Sequence, residues 1–131
     1  MQLPGARSGS DRRLLSVVDD DESVRESLPD LLREFGFAAR VFSSAEEFLS
    51  SDCLDQTSCL ILDIAMPGMS GPELYLELVR LGYRIPVVFI TGQVDETIRA
   101  RVLKHGAAGF LLKPFSDEAL LSAIKVALQA P

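Results

Sequence analysis

The chain has 131 residues, 47% of them hydrophobic, which suits one domain with one sizeable core. A formal net charge of -6 argues against a nucleic-acid surface, because neutralising phosphates requires a clustered basic face. No apolar run approaches the roughly 18 residues of a membrane span, and no secretion signal is recognised, so a cytoplasmic protein is expected.

Met1 to about Arg13 is rich in Gly, Ser, Pro and Arg without apolar periodicity, and is expected to be a disordered lead. From Leu14 onward, short apolar runs alternate with longer stretches of helical period. The predicted strands are Leu14 to Val18, Ala38 to Phe42, Cys59 to Leu62, Pro86 to Ile90 and Ala107 to Leu112. Most are continuously apolar, as strands covered on both faces are.

A first helix presents Val24, Leu28, Leu31, Leu32 and Phe35 on one face, with Pro29 inside it predicting a kink. Ser44 with Glu47 and Ser70 with Glu73 have capping-box spacing and open the second and third helices. Leu74, Leu78 and Leu81 form the apolar face of the third, and Val94, Ile98 and Val102 that of the fourth. The fifth carries Leu120, Leu121, Ile124 and Leu128 after a Ser116 cap, with Asp117 and Glu118 in its first turn. Cys53 and Cys59 lack metal-ligand spacing and read as reduced packing residues.

The polar residues at the strand ends carry the chemistry. The first strand runs into Asp19-Asp20-Asp21, the third into Asp63, the fourth into Thr91-Gly92 and the fifth into Lys113-Pro114. Parallel strands put all their carboxyl ends on one edge, so these groups can converge on one crevice. Three adjacent carboxylates repel one another, and a hard divalent cation relieves that conflict. Magnesium suits the site because it binds a few carboxylates, waters and a phosphoryl group instead of a full protein cage. Asp63 can then serve as nucleophile toward an activated phosphoryl group, with Lys113 and Thr91 stabilising charge on its oxygens.

Four stretches, Val17 to Glu22, Leu62 to Gly71, Phe89 to Gly92 and Gly106 to Phe115, resemble the motifs of response-regulator receiver domains. The resemblance covers about Leu14 to Gln129, giving an expected organisation of a 1–13 lead and a 14–129 receiver domain. It is most like the receivers of nitrogen-fixation and nodulation regulators that carry a helix-turn-helix output. It implies an α/β flavodoxin-like fold, a doubly wound parallel sheet of order 2-1-3-4-5 with five helices.

The resemblance also implies residue roles. Asp63 is the phosphoacceptor, Asp20, Asp63 and the Ala65 carbonyl bind magnesium, and Asp19 helps mainly through water. Lys113 and Thr91 contact the phosphoryl group, Phe110 is the switch aromatic, and the Lys113–Pro114 peptide is cis. Ala65 and Gln93 occupy positions that tune the lifetime of the phosphorylated state. The implied partner is a sensor histidine kinase, with homodimerisation through the fourth helix and fifth strand on phosphorylation and no direct nucleic-acid or membrane contact. Beyond its own phosphorylation and dephosphorylation, no enzymatic activity is expected.

Two alternatives stay open on sequence alone. One is a pseudo-receiver that binds without being phosphorylated. The other is a haloacid dehalogenase-type phosphohydrolase, with Asp19 as nucleophile and Asp21 as general acid.

Overall fold

The computed structural model describes residues 12–93 and 95–129. Most of the expected lead, and Val94 of the expected fourth-helix face, lie outside the described residues. Among the described residues five strands alternate with five helices: β1 Leu14–Val18, α1 Glu22–Glu34, β2 Ala38–Phe42, α2 Ala45–Leu49, β3 Thr57–Asp63, α3 Gly71–Arg80, β4 Val87–Thr91, α4 Glu96–Lys104, β5 Gly109–Leu112 and α5 Asp117–Gln129. All strands are parallel, in the order β2-β1-β3-β4-β5.

Side chains alternate across the sheet and divide the core in two. Leu60, Leu62 and Phe89 pack with Phe48, Leu74 and Leu78 on one face, which α2, α3 and α4 cover. Ile61, Val88 and Ile90 pack with Leu28, Leu32, Leu120 and Ile124 on the other, beneath α1 and α5. Each fully buried side chain of this kind contributes roughly 1.5–3 kcal/mol relative to exposure, so β3, buried at six of seven positions, and β4, buried at all five, anchor the middle of the sheet.

The strand boundaries differ from expectation for local reasons. β3 begins two residues early, where Thr57 Oγ1 donates to the Cys53 carbonyl (2.7 Å) and meets Ser16 Oγ of β1 at 2.7 Å. This pairing satisfies two buried hydroxyls inside an apolar sheet. β4 begins after Pro86, which has no N–H to give to a ladder, although its carbonyl accepts from Leu60 N at 2.9 Å. β5 begins at Gly109 because Ala107 N is spent on the Val102 carbonyl, closing α4.

The helix caps differ in detail as well. The capping box is complete at α3, where Ser70 Oγ accepts from Glu73 N and Glu73 Oε1 from Ser70 N. At α2 only half forms: Ser44 Oγ accepts from Glu47 N, but the Glu47 carboxylate takes the Ser43 amide instead. α4 starts from Asp95, which accepts from Thr97 N and Ile98 N. α1 is one helix through the buried Pro29. Leu81, expected on the buried face of the third helix, caps α3 and is 47% exposed.

Cys53 and Cys59 are free and buried, and burial pushes the Cys59 thiol up to about 12, which makes it unreactive as a nucleophile. No described helix is long and apolar enough to cross a membrane.

Candidate functional site

β1 and β3 run side by side with Val18 opposite Leu62, so the next residue on each strand, Asp19 and Asp63, emerges together at the carboxyl edge. Asp20 joins them at the rim, where it is exposed, whereas Asp19 is 0% and Asp63 5% exposed. One carboxylate oxygen from each of the three lies within 4.8 Å of the others. Asp19 Oδ1 accepts from Asp21 N at 2.9 Å. Its Oδ2 lies 2.8 Å from Lys113 Nζ, an ionic contact in which no donor is aligned on that buried oxygen for a hydrogen bond.

Lys113 comes from the end of β5, where its amide donates to the Thr91 carbonyl at 2.7 Å. Its Nζ is also 3.8 Å from Asp63 Oδ1. Burial favours the neutral amine, but contact with Asp19 and the charges of Asp63 and Asp21 outweigh it and hold the ammonium above its usual pKa. The Lys113–Pro114 peptide is cis, as the resemblance implied.

Asp63 shows the cost of the arrangement. Burial and the neighbouring charge of Asp19, only partly offset by Lys113, push its carboxyl from an ordinary 3.8 up to about 7. Two buried acids beside one lysine leave negative charge uncompensated, and the three clustered side chains all offer hard carboxylate oxygens. The unaligned Asp19 Oδ2, the elevated Asp63 and the close spacing of three carboxylates fit a small divalent cation.

Thr91, at the end of β4, is buried, and its Oγ1 accepts from Gln93 N at 3.2 Å. A cavity of about 70 Å³ separates it from Phe110 and is also lined by Ile64, Ala65 and Ile98. Phe110 is half-buried, with the Arg99 guanidinium 5.9 Å from its ring centre. Ala65 is exposed just past Asp63. The structure therefore gathers Asp19, Asp20, Asp63 and Lys113, and sets Thr91, Ala65 and Phe110 around an adjoining void.

Asp21 is spent elsewhere: its Oδ1 accepts from Ser23 N (3.0 Å) and Ser23 Oγ (2.8 Å), bonds that hold the carboxyl below its usual pKa and cap α1. Besides the Ser16–Thr57 pair, three contacts escaped the sequence reading. Arg25 Nη1 donates to the Asp19 carbonyl at 2.9 Å, and Glu46 Oε2 accepts from Met69 N at 3.0 Å in the loop after Asp63. Tyr75 meets Phe89 edge-on and also donates to the His105 carbonyl at 2.7 Å.

Lys113→Ala removes the cation paired with a fully buried carboxylate. It should lower metal-free stability by about 2–3 kcal/mol, below the full cost of breaking a buried pair because the lysine side chain stays 21% exposed. Urea unfolding in chelator should show this loss, with part of it recovered when magnesium is added. A variant as stable as wild type in chelator would contradict the pairing.

A doubly wound sheet of order 2-1-3-4-5, with its acids at the carboxyl ends of the neighbouring strands β1 and β3, defines the flavodoxin-like receiver class. Residues 15–125 match the response regulator receiver domain, and the chain belongs to that family. Nodulation protein W of Bradyrhizobium diazoefficiens is 44% identical over 125 residues, covering 95% of this chain and 55% of that protein. Response regulator protein TodT of Pseudomonas putida is 42% identical over 126 residues, covering 95% and 56%. The crystal structure of FixJ-N superposes with a TM-score of 0.80 at 38% identity, covering 90% of this chain and 94% of that one. The chain thus spans about half the length of the curated relatives it matches.

Proposed function

We propose that Asp63 accepts a phosphoryl group from the phosphohistidine of a sensor kinase in the cytoplasm, and that the resulting acyl phosphate switches the α4/β5 face. The observation that supports this most is Asp63 itself: buried at the end of β3, with its carboxyl elevated, 3.8 Å from Lys113 and against two further acids. The Asp63 carboxylate attacks phosphorus, a P–O bond forms as the P–N bond to the donor imidazole breaks, and the electron pair leaves with that nitrogen. The Lys113 ammonium meets the charge on the phosphoryl oxygens, and the Thr91 hydroxyl donates to one of them.

Magnesium would be held by Asp19, Asp20, Asp63 and the Ala65 carbonyl, with Asp19 acting mainly through water. When bound it would neutralise the acids and the incoming phosphoryl charge. The phosphohydrolase alternative needs Asp21 as general acid, whereas that carboxyl is engaged as a helix cap outside the acid cluster. A pseudo-receiver would lack part of the constellation, and every part is present.

Intact mass after incubation with acetyl phosphate tests the reading. One added phosphoryl group is expected, with magnesium only, mapped to Asp63 by borohydride reduction. Label on Asp19, or uptake indifferent to magnesium, would refute it.

The output step rests on the void between Thr91 and Phe110. Drawing the Thr91 hydroxyl toward a phosphoryl group enlarges that space, and Phe110 turns into it, reshaping α4 and β5. Ala100 and Lys104 are exposed on α4 while Val102 is buried, so they present the surface on which a second copy docks. Sedimentation with beryllium fluoride should show a dimer that Ala100→Glu abolishes. A monomer at all workable concentrations, or a dimer indifferent to that glutamate, would exclude this face. A net charge of -6 speaks against direct DNA contact by this domain, and transcriptional output would pass to a further domain.

A further inference from the structure

In an α-helix, long side chains lean toward the helix amino terminus. Arg25 sits in the first turns of α1 and therefore reaches back over the helix start, where its Nη1 donates to the Asp19 carbonyl at 2.9 Å. That carbonyl needs a partner. Asp19 N still bonds the Phe42 carbonyl of β2 at 3.1 Å, but the chain then turns away into α1 and leaves the β ladder. Asp19 is consequently held by three hydrogen bonds, its amide by β2, its Oδ1 by Asp21 N at 2.9 Å and its carbonyl by Arg25, besides the ionic contact of its Oδ2 with Lys113.

Resting on the phosphoacceptor reading, we infer that Arg25 is a positioning residue for the metal-binding acids, acting through the Asp19–Asp20 peptide. The carbonyl it grips belongs to the peptide plane that leads into Asp20. Fixing that oxygen fixes rotation about Asp19 ψ and Asp20 φ, and so the direction from which the exposed Asp20 carboxylate reaches the site. Asp20 is at the rim, where core packing does not hold it, so this backbone restraint matters more for Asp20 than for the enclosed Asp19. Arg25 is half-buried and touches neither Asp63 nor Lys113 through any hydrogen bond described, so its effect falls on cation binding and not on attack at phosphorus.

This separates it from a residue that only stabilises α1. Removing such a residue lowers the melting temperature and leaves the magnesium affinity of the folded molecules unchanged. Removing a positioning residue weakens magnesium binding at unchanged secondary structure, and saturating magnesium restores phosphorylation.

Arg25→Ala, titrated calorimetrically with magnesium, should bind about tenfold more weakly, as is typical when a group supporting metal ligands is lost. Its phosphorylation rate by acetyl phosphate should fall at low magnesium and return to the wild-type value at saturation. Arg25→Lys, which keeps a charged donor on a stem of similar reach, should recover most of the affinity. Arg25→Gln provides a second, neutral variant if the alanine protein folds poorly, and is expected to bind more weakly than Arg25→Lys. Wild-type magnesium affinity in a folded Arg25→Ala or Arg25→Gln protein overturns the inference. So does a rate still depressed at saturating magnesium. A wild-type protein that binds no magnesium and takes up no phosphoryl group refutes the phosphoacceptor reading itself, an outcome distinct from either of these.

Discussion

Asp63→Asn is expected to abolish phosphoryl uptake completely and, in the absence of metal, to give a more stable protein than wild type. The first effect follows because an amide offers no carboxylate oxygen for the P–O bond. The second follows from the cost of ionising Asp63 in place, which raises its folded pKa to about 7 from an ordinary 3.8. Below pH 3.8 both folded and unfolded chains hold this proton. Between 3.8 and about 7 the unfolded chain releases it and the folded chain keeps it, so stability falls as pH rises through that window. Above it the full penalty is present. Asparagine has no such titration, so the variant should gain on the order of 1–3 kcal/mol over wild type at pH 8 after allowing for solvent screening, and almost nothing near pH 3. Urea unfolding in chelator across pH gives the difference directly. An advantage for the variant that stayed constant with pH would place the elevated carboxyl elsewhere, and residual labelling would move the phosphoacceptor to another acid.

The strand-end acids were readable in the sequence because of a pattern that tertiary context cannot disguise. A continuous apolar run such as Cys59 to Leu62 fits a strand covered on both faces, and the first polar residue after it must lie at the sheet edge. Thr91 follows the same rule, Asp19 closes a run broken only by Ser16 and Lys113 closes the half-buried β5, and parallel pairing brings the edges together. The register that sets Val18 opposite Leu62, and hence Asp19 beside Asp63, is a property of the folded sheet alone.

The contacts that escaped are of a different kind. Arg25 has the appearance of any charged residue on the solvated side of an amphipathic helix, and only the path of β1 into α1 reveals the carbonyl it serves. Glu46 reaches Met69 N across 23 residues of sequence. The Ser16–Thr57 hydroxyl pair joins two strands, and neither residue alone announces the other. Leu81 kept helical spacing but falls one residue past the last turn, where the turn at Gly82 leads it into solvent. Local periodicity thus located the reacting groups, while the bonds that hold them depend on which backbone polar groups the fold leaves without partners.

Gly71 shows how tightly the backbone behind the phosphoacceptor is packed. It opens α3, and its amide donates to the Ile64 carbonyl at 2.9 Å. A Cβ at this position would overlap the Asp63 carbonyl oxygen and come within 3.0 Å of the Asp63 carbonyl carbon and 3.1 Å of Ile64 Cα. All three are backbone atoms, so no flexible side chain can swing aside. The strand end is fixed because Asp63 pairs beside Ile90 and Ile64 N bonds the Ile90 carbonyl at 3.0 Å. The helix start is fixed by the Ser70–Glu73 capping box. Gly71→Ala must therefore break one of these attachments or displace Asp63. The expected cost is about 3 kcal/mol, the upper part of the range for overpacking, together with loss of most phosphoryl uptake in the molecules that remain folded. Gly92 supplies the control: it lies at the same sheet edge with nothing within 4 Å of an added Cβ. Gly92→Ala should change stability by less than about 0.5 kcal/mol. Parallel urea titrations of the two variants measure the contrast, and a Gly71→Ala protein as stable as the Gly92→Ala control would show that the loop behind Asp63 can yield.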